Sequence, residues 1–206
     1  MHAEVRARIR DGKLDRRAFL AELRAAPLAT RDHLVEELLD IAYPPLGEWQ
    51  LPSEAVPYAP SGVAEILFAL ENARLGPHES FVDLGSGLGK VVLLVALLSG
   101  ARAHGIELDP RLVGDSRAAA AGLGLHNAHF SEADIRVAPL PQADVYYMFI
   151  PVLRSTEIAR RLAADAAGRH FLLFSSALDL RALPWLAACN RASYWLEMYE
   201  TQRARV

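Results

Sequence analysis

Residues 81–90 read Phe-Val-Asp-Leu-Gly-Ser-Gly-Leu-Gly-Lys, and an apolar run, Val91 to Leu98, follows without a break. A short β-branched and aromatic segment meeting a glycine cluster and then a long apolar stretch is the pattern of a buried strand turning tightly into a helix. Gly85, Gly87 and Gly89 let the backbone turn sharply and leave room for a ligand to approach the main chain. Asp83 stands near the end of the strand, directly before the turn.

That acid separates two readings of the loop. A dinucleotide site carries G-x-G-x-x-G and seats a pyrophosphate on the helix N-terminus, where a carboxylate at the strand end repels it. Here the spacing is G-x-G-x-G and the acid suits a cationic ligand. S-adenosylmethionine (SAM) fits, because it carries an ammonium and a sulfonium and no phosphate. Residues 102–110, Arg-Ala-His-Gly-Ile-Glu-Leu-Asp-Pro, read as a second strand ending in Glu107, with Asp109-Pro110 opening a helix that Asp109 caps. Glu107 follows Gly85 by 22 residues, close to the ~20 at which an acid reaches ribose hydroxyls in a strand–helix–strand nucleotide site. Asp134 follows a short strand from Ala128 to Ser131. Three acids at the C-terminal ends of successive strands line one crevice, where open α/β sheets bind their ligands.

These residues carry a family resemblance. The chain resembles a class I SAM-dependent methyltransferase across roughly residues 56–180. Asp-Leu-Gly-Ser-Gly-Leu-Gly at 83–89 is similar to the first motif of that class, Gly-Ile-Glu at 105–107 to the second, and Ala-Asp-Ile at 133–135 to the third, whose acid meets the adenine amino group. Within the class, residues 81–92 resemble two groups of lysine methyltransferases. One is the non-SET, disruptor-of-telomeric-silencing type acting on histone; the other is the mitochondrial type acting on the nucleotide translocase and the ATP-synthase c subunit. Pro57-Tyr58-Ala59-Pro60-Ser61 and Phe149-Ile150-Pro151 are more similar to the second group.

The resemblance implies SAM as cofactor, S-adenosylhomocysteine as product, and a cofactor-binding set of Tyr58, Asp83, Gly85, Ser86, Gly87, Gly89, Glu107, Asp134, Ile135 and Phe149. It implies methyl transfer to a protein lysine amine. A small-molecule or natural-product acceptor and a non-catalytic SAM-binding scaffold are the alternatives.

In-line displacement at a sulfonium rests largely on orientation and exclusion of water, so no catalytic nucleophile need be visible in the sequence. The fourth strand, expected to end at Tyr146-Tyr147-Met148-Phe149-Ile150-Pro151, has no Asn/Asp-Pro-Pro-aromatic pattern for holding a planar exocyclic nitrogen. It also has no asparagine of the kind the histone-type group carries there. An apolar, aromatic strand end suits the stem of a lysine, and the same residues equally suit an ordinary strand core. Lys90 is placed either to meet the methionyl carboxylate or to lie in solvent on its helix. His126 and His129 lack a third ligand, so no metal site is expected. Ser175 and Ser176 lie outside any Gly-x-Ser-x-Gly turn, which speaks against a serine hydrolase.

The 206 residues are 52% hydrophobic, enough for one domain with a sizeable core. A net charge of −3 offers no basic footprint for nucleic acid. The lone Cys189 rules out internal disulfides and suits a reducing compartment. The start, Met-His-Ala-Glu-Val-Arg, is too charged for a signal peptide, and the run Val91–Leu98 is too short to span a bilayer. A cytoplasmic protein without membrane attachment is expected.

Three parts are expected: an N-terminal helical extension at 1–42, a proline-rich connector at 43–60 and a SAM-binding domain at 61–206. In the extension Asp15 caps a helix reaching Ala25, with Leu14 and Phe19 as a hydrophobic staple, and Thr30 caps a second helix whose apolar face includes Leu34, Val35, Leu38, Leu39 and Ile41. The connector holds Tyr43, Trp49 and Tyr58, either pinned to the core or forming part of a lid. From Ser61 onward helices and strands alternate, the signature of an α/β, doubly wound, mostly parallel Rossmann-like sheet. The expected end is a helix at 179–188 and a single long edge strand at 192–200, because the run Ala192–Glu200 contains no Gly or Pro turn. The last strand pair of the class is therefore expected to be shortened.

Overall fold

A computed structural model describes residues 2–43, 59–149, 155–166 and 168–202. The N-terminal segment forms three helices, α1 (His2–Arg10), α2 (Arg16–Ala25) and α3 (Leu28–Leu39). Asp15 caps α2 as its position suggests, accepting from the amides of Arg17 and Ala18 at 3.0 Å each. Thr30 does not cap α3. The helix begins earlier, behind Pro27, whose carbonyl accepts from the amides of Thr30 and Arg31. Proline's fixed φ suits a helix entry, and Thr30 is left inside the first turn with its hydroxyl donating back to the Pro27 carbonyl.

The alternating part follows: α4 (Val63–Ala73), β1 (Ser80–Leu84), α5 (Lys90–Ser99), β2 (Arg102–Glu107), α6 (Pro110–Leu123), β3 (Ala128–Glu132), β4 (Val145–Met148), α7 (Ser155–Asp165) and β5 (Leu172–Ser175). Gly100 and Gly124 end α5 and α6 in the left-handed conformation, and Asp109 caps α6 by accepting from the Arg111 amide at 2.8 Å. The strands form one seven-stranded sheet in the order β3-β2-β1-β4-β5-β7-β6, with β6 (Leu186–Ala192) and β7 (Glu197–Thr201). The first five are parallel and β7 runs antiparallel to both β5 and β6.

The chain's end corrects the expected edge. Only a 3₁₀ turn, Leu178–Ala182, stands where a helix at 179–188 was expected, and Leu186–Ala192 is a strand. Pro184 breaks the helical pattern, and a hairpin replaces the single long strand. The turn needs no Gly or Pro, because Ser193 closes it with its own groups: its amide donates to the Leu196 carbonyl at 2.8 Å and its Oγ accepts from the Leu196 amide at 3.0 Å. Asn190 absorbs a register irregularity between the two strands at φ 49°. The strand pair is complete.

Two apolar layers sandwich the sheet. One joins Phe81, Val145, Tyr147 and Phe174 to α4, α5 and the N-terminal helices; the other joins Val82, Tyr146, Met148 and Leu173 to α7 and the 3₁₀ turn. Helix α5, Val91 to Leu97, is buried on every side, because β1 and β2 cover one flank and α2, α3 and α4 the other. The extension is thus integral to the first layer: Ile9, Phe19, Leu23, Val35, Leu38 and Leu39 are all buried in it.

One polar contact fixes α3 against α5. Lys90, in the first turn of α5, is only 3% exposed, and its ammonium donates to Asp32 at 2.6 Å and to Glu36 at 2.7 Å, both on α3. Asp32 also accepts from the Val63 amide at 2.9 Å, which joins the start of α4 to the same point. Sequence reasoning offered solvent or a cofactor carboxylate for Lys90; the α3 acids hold it instead. Removing a buried partner leaves the opposite charges uncompensated, although Asp32 retains access to water. Lys90→Met is therefore expected to destabilise the fold by about 2–3 kcal/mol, read as a shifted midpoint in urea denaturation at an unchanged slope.

Candidate functional site

The C-terminal ends of β1, β2 and β4 meet at the glycine loop. Gly85, Gly87 and Gly89 have φ values of 88°, 54° and 78°. At Gly89 a side chain is doubly excluded, since a Cβ would also lie 2.7 Å from the ring of Phe130. Above Gly85, by contrast, a Cβ would meet nothing within 4 Å, so the loop's crest faces open space.

The loop's amides point inward. Gly85 and Ser86 both donate to the Ile106 carbonyl, at 2.8 and 3.0 Å; Gly87 donates to Glu107 at 2.8 Å, and Gly89 to the Ser86 carbonyl at 2.9 Å. A phosphate-cradling loop turns such amides toward its ligand. Here they are occupied, which agrees with a ligand that has no phosphate.

Asp83 is 3% exposed and has no side-chain hydrogen bond among the described residues. Burial, and secondarily the nearby charge of Glu107, push its carboxyl well above the ordinary range. A buried acid in this condition holds its proton in the absence of a partner and ionises when a cation is brought to it. Two further polar atoms of the same corner are buried without partners, Ser86 Oγ and Tyr147 Oη. Ser61 and Glu65, both 6% exposed at the start of α4, close the corner from the other side, and burial raises Glu65 as well.

Glu107 ends β2, and its carboxylate accepts from the amides of Gly87, Leu108 and Asp109 at 2.8, 2.7 and 2.9 Å. It thus ties the glycine loop to the following turn while remaining partly exposed. Asp134, after β3, is paired with Arg136 at 2.7 Å, which holds its carboxyl below the usual range, and its carbonyl accepts from Val137 and Ala138. Ile135 is buried in the second apolar layer. Phe149 follows β4, half-buried against the first layer, and its carbonyl accepts from Ser176 Oγ at 2.5 Å. Met148 is fully buried core.

Asp83, Ser86 and the glycines therefore stand together at one corner with Glu107 beside them, whereas Asp134 and Ile135 belong to the neighbouring turn after β3. Tyr58 and Trp49 lie outside the described residues. Tyr43 is half-exposed and its hydroxyl donates to Glu36. Sequence reasoning missed Tyr147, Ser61 and Glu65 as members of the corner. A usable signal existed for Tyr147: side chains alternate along a strand, and Tyr147 pairs in register with Asp83, so both share a face.

His126 and His129 are not joined by a third ligand, and among the described residues no group of three or more His, Cys, Asp or Glu is placed to hold a metal ion. Among the described residues no helix is long and apolar enough to cross a membrane.

Residues 59–121, from the lead into α4 to the last turns of α6, match the family model for histone methylation protein DOT1. Histone-lysine N-methyltransferases specific for H3 lysine-79, from two strains of Cryptococcus neoformans var. neoformans serotype D, are 51% identical over 41 residues. That stretch is 20% of this chain and 6% of each fungal protein, so the chain aligns with a small part of those relatives. Among solved structures, an RNA methyltransferase from Salinibacter ruber in complex with S-adenosylhomocysteine superposes with a TM-score of 0.58 at 24% identity, over 72% of this chain and 95% of that one. TrmN from Thermus thermophilus superposes with a TM-score of 0.52 at 23% identity, over 68% of this chain and 48% of that one. The chain has the fold of the class I methyltransferases, and over the segment that builds the glycine loop and its flanking helices it resembles the DOT1 histone methylation proteins.

Proposed function

We propose that this protein is a SAM-dependent methyltransferase that transfers a methyl group to the side-chain amine of a protein lysine. The observation that carries the cofactor is the unpaired, buried Asp83 beneath an open glycine loop whose amides are already occupied. Asp83 would neutralise the α-ammonium, Glu107 would accept the ribose hydroxyls with the lone pairs its backbone bonds leave free, and Asp134 and Ile135 would border the adenine. When bound, SAM supplies a methyl on a positively charged sulfur, a leaving group that needs no acid. The protein's share is to orient the two reactants and keep water out.

The acceptor reading rests on the DOT1-like segment and on the end of β4. Phe149 offers an apolar wall, and burial along such a wall lowers the pKa of an incoming ammonium, which favours the neutral amine that attacks. The absence of an asparagine after β4 sets this chain apart from the histone type. A cytoplasmic location is part of the same proposal.

Three outcomes follow. Incubation of the protein with methyl-labelled SAM and a cell lysate is expected to label a protein band that yields methyllysine on hydrolysis; label confined to small molecules would move the assignment to the small-molecule reading. Glu107→Ala is expected to cost roughly 2–4 kcal/mol of SAM affinity through lost charge-assisted bonds. An unchanged dissociation constant in calorimetry would show that Glu107 serves only the loop.

The third outcome concerns pH. The folded-state pKa of Asp83 is raised, so its contribution to stability is present below the ordinary carboxyl range and is lost as pH rises through the raised value. The ligand-free protein is thus less stable above that titration, while SAM, which needs the ionised form, binds better there. At pH values above that titration Asp83→Asn is expected to raise the stability of the ligand-free protein by about 1 kcal/mol or more, and it is expected to weaken SAM binding and flatten its pH dependence. Melts and titrations across acid to neutral pH check all three together.

A further inference from the structure

The two adjacent tyrosines of β4 are chemically alike and differently placed. Tyr146 faces the second apolar layer, and its hydroxyl is satisfied: it donates to the Pro141 carbonyl at 2.9 Å and accepts from the Ala143 amide at 3.0 Å. Tyr147 faces the first layer, fully buried, and its hydroxyl has no hydrogen-bond partner among the described residues. Its ring packs beside Phe81 at 6.1 Å between centroids, which fixes the position of the oxygen. Nothing in the apolar layer needs that oxygen. A phenylalanine would fill the same volume without leaving a buried polar atom unpaired, a condition that costs free energy in the ligand-free fold.

The surroundings of the oxygen specify what it is for. Tyr147 is the register partner of Asp83 on the adjacent strand, so the two side chains stand side by side on one face. Ser61 lies close enough to act on the phenol and offset part of its rise in pKa, and the charges of Asp83 and Glu65 act in the opposite direction. Burial and those carboxyls push its pKa well above the ordinary phenol range, so it stays neutral. An oxygen among acids repels an anion and suits an N–H donor carrying positive charge.

We propose that Tyr147 is a positioning residue for the amino-acid end of the cofactor, its hydroxyl oxygen accepting a hydrogen bond from the α-ammonium that Asp83 neutralises. Two contacts on one ammonium restrict rotation of the methionyl arm and hence the direction in which the sulfonium methyl points. The inference rests on the SAM reading above and extends it to a residue whose neighbours on the strand read as plain core.

Calorimetric titration of the full-length protein with SAM and with 5′-methylthioadenosine, which keeps the adenosine and lacks the amino-acid end, tests it beside melts of the ligand-free protein. Tyr147→Phe is expected to weaken SAM about ten- to a hundredfold, the range for a hydrogen bond to a charged group. It should leave 5′-methylthioadenosine unchanged and the ligand-free melting temperature equal or higher. Tyr146→Phe should do the reverse, lowering the melting temperature through two lost bonds while leaving both affinities alone. A Tyr147→Phe protein that melts higher but binds SAM as before would overturn the proposal, as would equal weakening of both ligands. Failure of the unaltered protein to bind SAM would instead overturn the cofactor reading itself.

Discussion

The rest of the structure depends on the clamp between the glycine loop and the end of β2. Three loop amides are bound to two groups of β2, the Ile106 carbonyl and the Glu107 carboxylate. Because the same carboxylate also receives the Leu108 and Asp109 amides, one side chain holds both the turn after β1 and the turn after β2. This draws the C-terminal ends of two parallel strands into one edge and starts α5 at a defined place above the sheet. It also settles the loop's chemistry. With its donors turned inward, the crest presents little positive potential, and the buried side chain at the strand end just before it is an acid, Asp83.

The electrostatics behind the loop have the same sign. Lys90 is surrounded by Asp32 and Glu36, with Glu65 close enough for its charge to be felt. One buried cation thus faces more negative charge than it can neutralise, and Asp83 adds a further acid at the sheet edge. Such a corner is costly without a ligand and accommodates a cation when one arrives. Stability and binding therefore oppose each other here, as is common where a site is built for a charge that the protein does not itself supply. The N-terminal helices take part in this arrangement, since α3 provides two of the acids and caps the start of α4 through Asp32.

Strand β4 divides its work between the faces of the sheet. Tyr146 and Met148 complete the layer under α7, with every polar atom of Tyr146 matched. Tyr147 and Phe149 lie on the other face, where the proposed reaction edge begins, and carry an unmatched hydroxyl and a half-buried ring. Alternation along a strand lets four consecutive residues serve a core and a site at once.

Much was legible in the sequence, and for identifiable reasons. The β1–α5 turn, the β2 strand ending in Glu107 and the Asp109 cap follow from contacts within a few residues, so local pattern sufficed. The five parallel strands follow from strand–helix alternation, whereas the closing hairpin of β6 and β7 does not. What the sequence did not decide rested on which particular groups hydrogen-bond at a turn and on partners far along the chain. Pro27 rather than Thr30 opens α3, and Ser193 closes a hairpin where no turn residue was visible, because side-chain and carbonyl geometry in place of residue type supplied the turn. Lys90 and Tyr147 show the limit most clearly. On sequence alone one is a helix-surface cation and the other a strand-core ring. Only the packing of α3, 54 to 58 residues away, buries the first among acids, and only the register of β4 against β1 sets the second beside Asp83. Burial and long-range pairing fix a polar atom's energy, and both are properties of the tertiary structure.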